Sequence, residues 1–106
     1  MTKRTLVQIL LPKVDGRGVP VPASKLQCLA QELAELFGGV TSYLRAPAEG
    51  LWQPQDDAPS ERDDIVVLEV MVEHLEPDFW RRLKTRLEAD LAQSEIVIRA
   101  QAVDLL

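Results

Sequence analysis

With 106 residues, 46% of them hydrophobic and 27% charged, the chain has the size and composition of one globular domain. A chain this long buries roughly two-thirds of its unfolded surface, enough for a core without staples. Its formal net charge of −5 argues against nucleic acid or an anionic membrane as partner, and its single cysteine, Cys28, excludes an internal disulfide.

Residues Met1 to Thr5 are followed by a short apolar run broken by Gln8. That is neither a signal peptide nor a membrane span, so the expected location is the cytoplasm. The run Leu6 to Leu11, bounded by Pro12, reads as a buried strand. Pro12 to Pro22 is rich in Gly and Pro and reads as a loop. Ser24 and Gln27 stand three apart, the spacing of a capping box, and open a first helix. Leu26, Leu29, Ala30, Leu33, Leu36 and Phe37 recur at helical spacing and form its apolar stripe. Cys28 reads as a small apolar residue on this helix. Gly38-Gly39 ends it, since glycine accepts the left-handed conformation of a helix terminus.

Val40 to Ala46 reads as a second strand. Pro47 to Asp64 is a long loop containing Trp52, a candidate lid. Ile65 to Leu75 is the strongest strand pattern. Glu76-Pro77-Asp78 starts a second helix, with proline in the first turn and acids favoured by the dipole. Phe79, Trp80, Leu83, Leu87 and Leu91 form its buried face. Glu95 to Val103 reads as the last strand.

The order is β-α-β-β-α-β. A shift of 54 residues aligns Leu29 with Leu83, Leu33 with Leu87 and Arg45 with Arg99, as a pseudo-symmetric split β-α-β fold would. The expected class is therefore α+β: one ferredoxin-like domain over residues 1–106, a four-stranded antiparallel sheet with two helices on one face.

Period-two alternation then assigns faces. Val66, Leu68, Val70 and Val72 turn to the helices. Ile65, Val67, Glu69, Met71 and Glu73 turn away. In the last strand Ile96, Ile98, Ala100 and Ala102 point inward, and Val97, Arg99 and Gln101 outward. Tyr43, Arg45 and Gln8 join the outward set. This open face mixes apolar groups with charges, a composition that asks for a cover, the simplest being a second copy in a homodimer. Two readings follow. In one, a homodimeric module binds a partner or small anion on this face, with Tyr43, Arg45, Trp52 and Arg99 as ligand-binding residues. In the other, a small enzyme uses Glu69 as a general base beside Arg45 or Arg99. Glu69 and Glu73 lie roughly 13 Å apart along a strand, too far for a tight carboxylate dyad.

No motif implies a metal or cofactor. Asp56, Asp57, Glu61, Asp63 and Asp64 lack the spacing and glycine of a calcium loop. His74, the single histidine, cannot make the common zinc site and reads as structural, on the helix-facing side. No Gly-rich phosphate loop is present, and the central strands lack the aromatic pattern of an RNA-binding sheet.

The stretch FGGVTSYLRAPAEGLW, followed by DDIVVLEVMV and QSEIVIRA, resembles a group of short bacterial proteins of uncharacterised function. The resemblance implies a ferredoxin-like domain and supplies no activity. The expected fold also looks like the dimeric α+β barrel proteins, which pair by their sheets and include small oxygenases and isomerases; that likeness is one of fold alone.

Overall fold

The computed structural model describes residues 1–45 and 65–106, with the backbone alone for 42–45. The candidate lid, Pro47 to Asp64 with Trp52, lies outside the described residues. The elements run β1 (Thr2–Pro12), α1 (Ala23–Phe37), β2 (Thr41–Arg45), β3 (Ile65–Val72), α2 (Pro77–Asp90) and β4 (Val97–Leu105). This is an α+β chain in the expected β-α-β-β-α-β order. The strands pair antiparallel throughout, in the order β2-β3-β1-β4.

Strand β1 is longer than its apolar run suggests. It lies between two neighbours, so even its polar start finds ladder partners: Thr2 to Leu10 pair with β4, and Thr5 to Pro12 with β3. Its side chains alternate in burial. Val7, Ile9 and Leu11 are fully buried and join Leu68, Val70, Val72 and Ile96 in one apolar layer. Leu29 and Leu33 of α1 and Trp80, Leu83 and Leu87 of α2 close that layer, so both helices cover the same sheet face. Each such side chain contributes roughly 1.5–3 kcal/mol by leaving water.

Helix α1 does not form the expected capping box. Pro22, at φ −62° and ψ 142°, occupies the N-cap without a side-chain bond, and its carbonyl accepts from the backbone N–H groups of Lys25 and Leu26. The helix thus begins two residues too early for Ser24 to cap it. Gly38 closes α1 as expected, at φ 85°, its N–H donating to the Ala34 carbonyl. Pro77 is the first residue of α2.

The segment after β1 is built rather than irregular. The Asp15 carboxylate accepts from the backbone N–H groups of Arg17 and Val19, at 2.8 and 3.0 Å. Val14 and Pro20 form a bridge, and Val21 N–H returns to the Lys13 carbonyl. Gly16 N–H then donates to the Leu91 carbonyl at the end of α2.

A second device fixes the start of β4. Ile96, 2% exposed, donates its N–H to Glu88 (2.9 Å), and its carbonyl accepts from Lys84 Nζ (2.6 Å). Lys84 and Glu88, one turn apart on α2, also pair at 2.9 Å and close the ring.

These carboxylates make stability acid-sensitive. The Lys84 ammonium, then the Ile96 N–H, hold Glu88 below the usual carboxylate range. The Arg86 guanidinium does the same for Glu32, and the Val19 N–H leads for Asp15. Each group therefore takes its proton at higher pH in the unfolded chain, near the ordinary 4.5 for Glu and 3.8 for Asp, than in the fold. Their contribution is complete above those values and is lost as pH falls through the lower folded ones. The expected result is a melting temperature that is level to about pH 5 and drops below it. Glu88→Gln should flatten part of that drop in a thermal melt series.

Candidate functional site

The sheet face away from the helices carries a polar row. In register, Gln8 of β1 stands opposite Glu69 on one side and Arg99 on the other. Gln8 Nε2 donates to Glu69 Oε2 at 2.6 Å, and Arg99 Nε donates to Gln8 Oε1 at 2.7 Å. Glu69 and Arg99 are two strands apart, about 10 Å, and do not meet directly. The amide spans the gap and bonds each charge with the matching end of its dipole. Both bonds are short, as bonds to ionised groups are.

Apolar groups surround this row. Leu6, Leu10 and Ile65 are half-buried, and Met71 (40%) and Val97 (43%) are exposed. Val67 departs from expectation. Its parity places it on this face and it is outside the helix-side cluster, yet it is fully buried. Leu10 and Tyr43 are its register neighbours on the two adjoining strands. The open face is therefore not uniformly open: it closes at Val67 and is exposed toward Met71 and Val97.

Glu69 and Arg99 are thus brought together through Gln8. Thr41 continues their row on β2. The backbone of Tyr43 pairs with Val67 and that of Arg45 with Ile65. Arg45 is therefore displaced along the sheet from the Glu69 row by four positions. The other carboxylate of the outward set, Glu73, lies past the end of β3 and pairs with Arg4 at 3.4 Å. Arg4 carried no sequence signal beyond its charge.

Cys28 lies on α1 as expected and is exposed. Two further expectations change. His74 is exposed in the turn after β3, where the strand has ended and its parity no longer applies. Ala100 and Ala102 have the helix-side parity but are exposed, because β4 runs on beyond the part of the layer that Ile96 and Ile98 share with the helices.

Among the described residues, two concavities lie on the helix side. A groove of about 330 Å³ runs between α1 and α2, floored by Leu11, Leu29 and Leu87. Two ion pairs rim it: Lys25 with Asp90 at 2.9 Å, and Arg86 with Glu32 through both nitrogens, at 2.6 and 3.2 Å. Glu32 and Arg86 are separated by the same 54 positions as the internal repeat, so equivalent positions of the two halves meet here. A smaller hollow of about 230 Å³ is lined by Phe37, His74, Glu76, Phe79 and Trp80. Glu69 borders neither.

Among the described residues, no three His, Cys, Asp or Glu side chains are placed to hold a metal ion. No helix among them is long and apolar enough to cross a membrane.

No family model matches the chain, and neither the curated proteins nor the solved structures contain a significant match.

Proposed function

We propose that this chain is a ferredoxin-like binding module, working as a homodimer, that takes a partner or small ligand on its open sheet face. The observation that supports this is the Glu69–Gln8–Arg99 row beside exposed Met71 and Val97. A fixed polar group set among apolar side chains is what a ligand site requires. Arg99 uses Nε to hold Gln8, and no carboxylate among the described residues lies within ion-pair distance of it. Its two terminal nitrogens form a planar fork suited to a carboxylate. A small organic anion with an apolar body fits this face best, its charge on Arg99 and its body over Met71 or Val97.

Titration of the full chain with benzoate, succinate and inorganic phosphate tests this reading. Benzoate should raise the melting temperature; ten times its Kd adds about 1.4 kcal/mol by mass action. Arg99→Gln should abolish the shift, and Gln8→Leu should weaken it by releasing the guanidinium. Absence of any shift, or one unchanged in Arg99→Gln, rejects the site.

The oriented carboxylate supports a second reading, a small enzyme of the dimeric α+β barrel kind acting on an organic acid. Glu69 is half-buried and held at 2.6 Å by Gln8, so its second oxygen edge has a defined direction. That reading requires catalysed deuterium exchange into a bound acid, lost in Glu69→Gln.

A further inference from the structure

We infer that the homodimer forms edge to edge, by antiparallel pairing of β4 with β4 of a second copy. The inference rests on the homodimer reading above; the paired edge adjoins the open face and shares Val97 and Arg99 with it, while the backbone pairing requires no ligand there.

Strand β4 is the outermost strand of the sheet and pairs only with β1 among the described residues. Its ladder with β1 runs in unbroken register from Thr2–Leu105 to Leu10–Val97, so no bulge turns it away. Nine residues therefore present alternate backbone N–H and C=O groups outward over about 30 Å. Natural edge strands are usually short, or carry proline, bulges or several charges that prevent such pairing. Here the sequence VIRAQAVDL has no proline and two charges. One of them, Asp104, is already neutralised by Lys3 at 3.0 Å. The chain does protect the preceding residue, because Lys84 and Glu88 occupy both backbone groups of Ile96. The protection stops where β4 begins.

A second copy fits this edge by the chemistry of the pairs it makes. A two-fold axis normal to the sheet relates the two strands, and the register that uses all nine residues centres on Gln101. Gln101 then faces its own copy, amide to amide. Val97, 43% exposed, faces Leu105, 39% exposed, at each end. Ala100 faces Ala102, both exposed and small, so the helix-side rims do not collide. Arg99 faces Val103, and no like charges stand opposite one another. The two sheets become one continuous sheet with all four helices on one side. Both Glu69–Gln8–Arg99 rows remain on the other, open to ligand. A contact one strand wide lies at the small end of specific interfaces, so the dimer should dissociate with dilution in the micromolar range.

Sedimentation of the full chain from one to several hundred micromolar tests this, with hydrogen exchange on the same samples. A monomer–dimer equilibrium is expected, with every second amide of β4 gaining protection as concentration rises. Gln101→Lys and Gln101→Glu each place like charges on the dyad and should weaken the dimer at least about tenfold, while a mixture of the two restores it. Gln101 is exposed, so both variants should fold. Met71→Lys, on the open face two strands away, should leave the dimer intact. A chain monomeric throughout overturns the inference, as does a dimer indifferent to both Gln101 changes. A dimer broken by Met71→Lys also overturns it and indicates pairing through the open face.

Discussion

Gly16→Ala is expected to destabilise the chain by roughly 2–4 kcal/mol, with a fall in melting temperature of at least about 10 °C. The cause is a backbone clash. A Cβ at residue 16 would stand 1.6 Å from the Ala92 carbonyl oxygen and 2.6 Å from its carbon. Neither atom is the end of a flexible side chain. Ala92 is itself held at φ 51°, the left-handed region, in the turn after α2. Its carbonyl cannot swing aside without unwinding that turn. The loop must therefore lift off the end of α2, which removes the Gly16 N–H to Leu91 carbonyl bond at 2.9 Å. Gly18→Ala supplies the comparison. Gly18 has φ 80° but nothing within 4 Å of a Cβ, so alanine there meets only the left-handed penalty, about 1–2 kcal/mol. Thermal or urea melts should rank the two variants in that order. Equal losses would mean that the loop does not rest on α2.

Periodicity made the element order legible. Leu29, Leu33, Leu83 and Leu87 recur at helical spacing, Val66, Leu68, Val70 and Val72 at strand spacing, and all eight face the shared layer or its margin. Contacts that depend on two distant segments were not legible. The Asp15-Gly16 pair marks a turn, but nothing local says that Gly16 docks on Leu91. Lys84 and Glu88 stand one turn apart on α2, and nothing in that spacing says that both also bind the backbone of Ile96. The Ser24–Gln27 spacing suits a helix start, but the helix begins at Ala23 behind Pro22, which leaves Ser24 inside the first turn.

The site shows the same division. Parity placed Gln8, Glu69 and Arg99 on one face, but strand parity alone does not say which residue of β1 stands opposite which residue of β3 and β4. A slip of two residues in either ladder would keep every face and break the row. Register is fixed by burial on the helix side and by the loops that join the strands. The docked loop after β1 and the Lys84–Glu88 clamp before β4 both act on β1 and β4, the two strands that carry Gln8 and Arg99. Stability devices at the sheet's end thus set the alignment on which the polar row depends.

Trp80→Ala should cost more than Gly16→Ala, about 3–5 kcal/mol. Trp80 is 5% exposed and belongs to the core layer. Phe37, at the end of α1, stacks on it with ring centroids 5.3 Å apart and planes at 17°. Phe79 meets both rings edge-on, 4.9 Å from Trp80 and 5.4 Å from Phe37. The three rings join the last turn of α1 to the first turn of α2, so the indole pins two helices at once. Its removal leaves a cavity that both must relax into and forfeits two aromatic pairs. Trp80→Phe keeps a ring in place and should recover more than half of the loss. Chemical unfolding followed by circular dichroism measures all three chains, since the indole itself is a poor reporter once replaced. Phe37→Leu in the Trp80→Ala background should cost less than in the native chain, because the stacking partner has already gone. Additive losses would show that the rings stabilise the helices separately, and the pinning account would then fail.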